Sequence, residues 1–254
     1  MEHRYIELVT YRALADFRSE VSRMYLGILW WVLEPLLYLI VFYVVFGLGL
    51  RQASSPAYVP WLLSGLIVWK WLDSTARTAS STILRSAGIM SQVYLPKLVF
   101  PAITVSTNFF KFLIIITIFI FYLGFYNMEV KAGWLWLLVL IPLQLLFVAV
   151  LASFFAGLVP ILPDLAHAIN YGMTFLFFAS GIFFNVHSMS PRVQHLMHFN
   201  PALCLVESFR RVLISGEPPS VTDVACVFAW SLLLAVVTVF LYRKMDRVYP
   251  RLVG

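Results

Sequence analysis

Hydrophobic and polar positions repeat along this chain on two scales. On the long scale, apolar runs about as long as a bilayer is thick alternate with short polar breaks. The runs cover residues 27–50, 58–76, 99–125, 134–159, 166–186 and 221–242. A helical crossing takes roughly 20 apolar residues, so the pattern predicts six transmembrane helices. On the short scale, residues 1–25 carry a helical period instead. Ile6, Val9, Ala13, Phe17, Val21 and Met24 recur at that spacing, with Arg4, Arg12, Arg18 and Arg23 between them. This predicts an amphipathic helix lying in the membrane interface.

Two polar breaks have structure of their own. In residues 187–220, Ser190-Pro191 and Asn200-Pro201 each set a capping residue before a proline at the first helical position. Val193, Leu196 and Met197 then form one short apolar face. Leu203, Val206, Phe209, Val212 and Leu213 form another, and Gly216 to Pro219 stop it. Each helix is too short to cross. Together they predict a hairpin that re-enters the membrane from one side, tolerated where protein or a water-filled cavity covers its backbone. The second break, residues 77–98, is basic at Arg77, Arg85 and Lys97, with helix-forming character in the middle.

Polar residues inside the runs narrow what each can face. Glu34 precedes Pro35 in the first run; the proline removes a backbone donor and can kink the helix. Glu34 must face protein, water or headgroups, because a carboxylate in hydrocarbon is costly. Lys70 and Asp73 interrupt the second run about one turn apart, placed to pair. Lys111 lies in the third.

Composition then sets the class. The chain of 254 residues is 61% hydrophobic and 12% charged, with a mean hydropathy of +0.88. A soluble domain is about 45–50% apolar and about 25% charged. The chain reads as a single integral membrane domain over residues 1–254, with no room for a soluble catalytic domain. The first run starts too late and is too long for a cleaved signal peptide. The net charge of +6 is scattered between spans and makes no nucleic-acid-binding stripe. Lys and Arg are most frequent in the N-terminal segment, in residues 77–98 and in the tail (Arg243, Lys244, Arg247, Arg251), which predicts that both termini face the cytoplasm. The hairpin is then on the outer side.

Candidate chemistry is sparse. No Gly-Lys dipeptide occurs, so the chain has no phosphate loop and cannot hydrolyse ATP by that mechanism. His187, His195 and His198 with Glu207 suggest a metal or acid–base cluster, yet they have no HExxH-like spacing. Cys204 and Cys226 lie in different kinds of segment and make no metal motif. A proton relay through Glu34, Asp73 and Asp164 would place its groups near span ends, without the inverted repeat of a secondary transporter. Aromatic residues, at 17% of the chain, are uneven. Tyr38, Phe42, Tyr43, Trp61, Trp69 and Trp71 gather around the first two runs, and Phe175, Phe177, Phe178, Phe183 and Phe184 around the fifth. They form either interfacial belts or a path of flat rings with apolar faces beside polar edges, suited to sugars.

Four stretches in order resemble the membrane subunit of type-2 ABC exporters, in the polysaccharide branch that exports capsule, O-antigen or teichoic acid. They are RMYLGILWWVLEPLL (residues 23–37), YVPWLLSGLIVWKWL (58–72), the basic break ending in Leu95-Pro96-Lys97 and Phe100-Pro101, and FNPALCLVESFRRVLISGEPP (199–219). The resemblance implies an all-α membrane protein with six spans, an interfacial N-terminal helix and an outer re-entrant hairpin before the last span. It implies a coupling segment in residues 77–98 that meets a separate ATPase, which binds ATP and Mg; this chain binds no cofactor. Ile83, Leu84, Arg85, Ser86 and Gln92 are the expected coupling residues. Tyr38, Phe42, Trp61, Phe177 and Phe184 are the expected glycan path. Glu34, Pro35, Asn200, Pro201, Glu207 and Arg210 are expected to shape or gate it. A homodimer with two ATPases, a lipid-linked glycan as cargo and a bacterial inner-membrane location complete the expectation. An exporter of a small molecule or lipid, or an intramembrane enzyme using the loop histidines, are the alternatives. Two positions depart from the family pattern: Pro163-Asp164 replaces the Arg-Asp of many relatives, and Ser180-Gly181-Ile182 replaces Ser-Pro-Ile, which predicts a softer kink in the fifth run.

Overall fold

A computed structural model describes residues 2–23, 25, 27–49, 57–90, 92, 95–125, 131–245 and 249. The loop at Ser54 to Pro56, the turn at 126–130, Arg51 and the tail residues Arg247 and Arg251 lie outside them. Every regular element among the described residues is helical. In chain order these are α1 (Glu2–Arg23), α2 (Leu29–Phe42), α3 (Tyr58–Ser80), α4 (Thr82–Arg85), α5 (Ala87–Met90), α6 (Val99–Phe125), α7 (Leu137–Leu158), α8 (Leu165–Phe178), α9 (Pro191–Met197), α10 (Pro201–Arg210) and α11 (Val221–Met245). A π-helical turn, Tyr43–Gly49, extends α2, and another, Arg211–Ser215, extends α10. A 3-10 turn, Ala132–Trp136, leads into α7.

Among the described residues, four stretches are long and apolar enough to cross a membrane: Leu29–Gly49, Val99–Phe125, Ala132–Leu158 and Val221–Met245. The other two expected spans fall short for different reasons. α3 carries Lys70, Asp73 and Arg77. α8 is only 14 residues long, because the chain leaves the helix at residues 179–181. Gly181 has a φ of +63, where a side chain is strained, and a Cβ there would meet Leu203 Cδ1 at 2.6 Å. The softer kink expected over residues 166–186 is therefore a full break.

α3 is the hub. It packs on α2, α6, α7, α8 and α10, and residues from Leu62 to Trp69 are buried without a gap. Small residues such as Ser64, Gly65, Thr75, Ala76 and Ala79 let neighbours approach closely. From α7, buried Gln144 donates through Nε2 to the Val68 carbonyl at 2.9 Å. The expected Lys70–Asp73 pair does not form. Lys70 reaches across to Glu34 on α2, while Asp73 takes Arg77 Nε at 2.7 Å, at the i,i+4 spacing that helices favour.

α1 lies along α6. Ala13 is fully buried there, Phe17 stacks near Trp31 at 5.1 Å between ring centroids, and Lys111 of α6 pairs with Glu20. Ile6, Tyr11 and Leu14 stay exposed, so the apolar positions of this helix do not all share its packed face.

The helices place the two structured breaks at opposite ends. Trp61, at the start of α3, meets Arg210 of α10, and Ser80, at its far end, leads into α4. α11 runs the same way: Asp223 bonds His198 beside the hairpin, and Tyr242 donates to the Ser153 carbonyl at 2.9 Å. Tyr249 then joins Ile83, Met90, Phe100 and Ala156 in a small core beneath α4 and α5.

Candidate functional site

Three features converge on α3. The first is a lock at its hairpin end. Asn200 caps α10 by accepting from the Ala202 N–H at 3.0 Å, and its amide donates to the Ala179 carbonyl at 3.0 Å. Pro201 fills the first helical position. One turn past the middle of this helix, Arg210 points inward and is 3% exposed. Its Nη1 donates to Glu207 Oε1 and to the Gly181 carbonyl, both at 2.8 Å. Nη2 donates to the Ile182 carbonyl at 2.7 Å, and Nε to the Trp61 carbonyl at 3.2 Å. The guanidinium carbon sits 3.5 Å from the centroid of the Trp61 ring, a close cation–π contact. One side chain therefore ties the hairpin, the break after α8 and the start of α3. The carbonyls at 181 and 182 are exposed for this role by the same break that ends α8.

The second feature is a groove between α2, α3 and α8, of about 260 Å³. Tyr38, Phe42, Trp69, Phe177 and Phe178 form its walls, and Lys70, Asp73, Arg77 and Thr174 lie along the rest. From Leu66 to Arg77 it follows α3 for about 16 Å at helical rise. Tyr38 and Phe42 stack nearly parallel, 6.2 Å apart. Phe42 contacts Phe177 at 5.6 Å and Phe183 at 5.5 Å, so the rings continue toward the break after α8. Arg77 is held open along the groove by donating to the Asn170 carbonyl at 2.8 Å and to Thr174 Oγ1 at 3.0 Å. Behind the groove, a second cavity of about 260 Å³ is lined by Glu20, Trp31, Asn108 and Lys111. Glu34, Pro35 and Lys70 line it too; Pro35 and Lys70 border both spaces, and Lys70 pairs with Glu34 on the side of the second cavity.

Of the five expected path residues, Tyr38, Phe42 and Phe177 come together. Trp61 does not join them; it stacks on Tyr58 at 6.0 Å and carries Arg210. Phe184 touches the cluster only through Phe183. Trp69 and Phe183, legible only as members of aromatic-rich runs, and Phe46, which the sequence pattern did not single out, belong to the cluster. Lys70 and Asp73 were visible as charges in an apolar run and Arg77 as part of the basic break after it, and their shared groove was not.

The third feature is the opposite end. A cavity of about 620 Å³ separates α1 from α4 and α5, lined by Leu8, Tyr11, Arg12, Asp16, Thr82, Arg85, Ser86 and Ile89. Arg85 and Gln92 are exposed, and Leu84 and Ser86 half-buried. Arg85 donates to the Thr78 carbonyl at 2.7 Å. Ile83 is fully buried and cannot be a contact for a partner; it anchors the segment to α6, α7 and the C-terminal part of the chain.

Among the described side chains, the loop histidines do not converge. His195 is exposed, the His187 side chain lies outside the described residues, and Glu207 is engaged by Arg210. His198 alone enters a cluster, with Asp223, Cys204 and Cys226. The two cysteines, separate in the sequence, both donate to the His198 carbonyl at 3.3 Å, so they do share a site.

The described residues thus form a bundle of apolar helices around a charged hub, α3, with a hairpin tied to one end of it by Arg210. Residues 13–214 match the ABC-2 type transporter family, and the chain belongs to that family of multi-pass membrane proteins. It is similar to the O-antigen export system permease protein RfbA of Klebsiella pneumoniae, with 24% identity over 231 residues, covering 91% of this chain and 88% of that protein. It is also similar to the protein of the same name from Myxococcus xanthus, with 24% identity over 240 residues, covering 90% of each.

Proposed function

We propose that this chain is the membrane subunit of an ATP-driven exporter that moves a lipid-linked polysaccharide of the O-antigen or capsule class across the bacterial inner membrane. The observation that carries this reading is the aromatic groove of α2, α3 and α8. Its rings offer flat apolar faces to the C–H surfaces of sugars, and Lys70, Asp73, Arg77 and Thr174 offer partners to hydroxyls and phosphate. The similarity to O-antigen export permeases supports the same cargo.

In this reading α3 and α8 cross the membrane alongside the four apolar helices, giving six spans with both termini in the cytoplasm. α3 tolerates its charges because other helices cover it and because its ions are paired. Residues 1–25 lie in the inner interface, and residues 187–220 form an outer re-entrant hairpin. Two copies assemble with two nucleotide-binding subunits, which hold ATP and Mg. The exposed side of α2, including Leu37, Tyr38, Ile40, Val41 and Val44, meets the second copy across the channel. Closure of the ATPases pushes on residues 77–98, with Arg85, Ser86 and Gln92 at the contact and Ile83 carrying the motion into the bundle. α2, α3 and α8 then shift and open the groove to its partner across the two-fold axis.

The test combines two readouts. Deletion of the gene removes a surface glycan, and the ATPase copurifies with the wild-type chain. Arg85→Glu, and a deletion of residues 86–92, reduce both copurification and export. Intact association and export in both variants remove this segment from the coupling. Loss of a small molecule or lipid in place of a glycan refutes the cargo and leaves the exporter.

A further inference from the structure

We infer that His198, Cys204, Asp223 and Cys226 form a binding site for a borderline-soft divalent cation such as Zn²⁺. The His198 ring, the Cys204 sulfur and an Asp223 oxygen all lie within 4.8 Å of one another. His198 Nδ1 is 3.2 Å from Asp223 Oδ1. The fourth group, Cys226, lies outside that close group but on the same side, because its thiol and that of Cys204 both donate to the His198 carbonyl at 3.3 Å.

The four ligands come from three places. His198 ends α9, Cys204 lies in the first turn of α10, and Asp223 and Cys226 sit at i,i+3 on one face of α11. Ligands of a tetrahedral Zn²⁺ with N–metal and S–metal bonds of about 2.0–2.3 Å stand about 3.2–3.8 Å apart, so a small inward movement brings His198, Cys204 and Asp223 to bonding range, and a rotation of the Cys226 side chain adds the fourth ligand. Two sulfurs, an imidazole nitrogen and a carboxylate form a donor set suited to Zn²⁺ and poorly suited to Mg²⁺ or Ca²⁺. Cys204 is fully buried and Asp223 is 4% exposed, while the His198 side chain is 38% exposed and leaves a way in.

Binding breaks two S–H bonds and forms two S–metal bonds. The two protons leave to solvent past His198, and the imidazole binds as the neutral ring. The His198 carbonyl gives up two weak S–H donors. The bound ion clasps the α9–α10 turn to the start of α11, fixing the hairpin at the end of the bundle opposite α4 and α5.

The full chain, purified in detergent, reduced with a phosphine and freed of metal with a chelator, is titrated with Co²⁺. Uptake of a single Co²⁺ per chain with a thiolate-to-cobalt absorption band, displaced by Zn²⁺, is expected. Zn²⁺ also slows alkylation of both thiols. His198→Gln, at a half-exposed position that leaves the core intact, and Cys226→Ser each weaken binding by at least about tenfold, the scale set by far smaller disturbances around metal sites. Absence of the thiolate band in the wild-type chain overturns the site. So does Co²⁺ binding as tight in the two variants as in the wild-type chain. Isolation of a Cys204–Cys226 disulfide whose reduction restores no Co²⁺ uptake assigns the thiols to a covalent link instead and overturns it as well.

Discussion

Removing the Arg210 guanidinium tests the hairpin lock most directly. Arg210→Met keeps length and apolar bulk and discards every donor. The change leaves the carbonyls at Trp61, Gly181 and Ile182 without this donor and leaves Glu207, whose side chain is 14% exposed, without its cation. Breaking a buried pair from one side costs about 3–5 kcal/mol. At about 2–4 °C per kcal/mol for a chain of this size, the apparent Tm of the detergent-solubilised chain falls by roughly 6–20 °C. Part of that cost comes from the Glu207 carboxylate losing this cation. The double variant Glu207→Gln/Arg210→Met therefore recovers part of the loss, and the two single effects do not add. Arg210→Lys keeps the charge and loses the fork. A single ammonium cannot reach Trp61, Gly181, Ile182 and Glu207 together, so this variant falls between the other two. The assay is scanning fluorimetry with size-exclusion chromatography at each temperature. An Arg210→Met chain that melts within about 2 °C of wild type, less than 1 kcal/mol on the same scale, refutes the lock.

Other substitutions test separate parts. Gly133→Ala aims a methyl group into the backbone carbonyl of Gly216, which Gly133 approaches directly; overpacking of about 1–3 kcal/mol is expected, read as a lower Tm. Lys70→Glu sets like charges beside the groove and the second cavity, so glycan export drops, and Glu34→Lys/Lys70→Glu restores it in a surface-glycan immunoblot. Tyr38→Ala changes a half-exposed ring and leaves stability within about 0.5 kcal/mol, yet slows export; unchanged export assigns that ring to the membrane interface instead.

Sequence patterning was most informative where a helix is determined by its own residues. The bounds of α6 agree with the apolar run at 99–125, and α10 starts at Asn200-Pro201 because cap and proline act locally. Patterning was less informative where tertiary partners decide. Arg210 was legible as part of a motif, but its acceptors come from residues 61, 181 and 182. Lys70 and Asp73 were one turn apart and both found better partners, one across an interface and one further along the same helix. In the span expected at 166–186, Gly181 was read as a softer kink, and it becomes a full break where its backbone turns left-handed with Leu203 packed over it. Cys204 and Cys226 are neighbours only because α10 folds back onto α11. The breadth of α3's contacts was the largest omission. A charged, weakly apolar run reads as a poor membrane helix, and its covering by five other helices is written elsewhere in the chain.

That covering has a consequence for biogenesis. In the proposed six-span arrangement, Lys70, Asp73 and Arg77, alone in lipid, would each oppose insertion by about 2.5–3.5 kcal/mol near the midplane. Glu34 is already synthesised when Lys70 emerges, so the first half of the chain can neutralise part of that burden at once. The carbonyl of Trp61 has to wait for an arginine 149 residues downstream. Until then the chain holds an unfinished bundle with an unsealed mouth, and a nascent protein stalled before residue 210 is the form most exposed to membrane proteases.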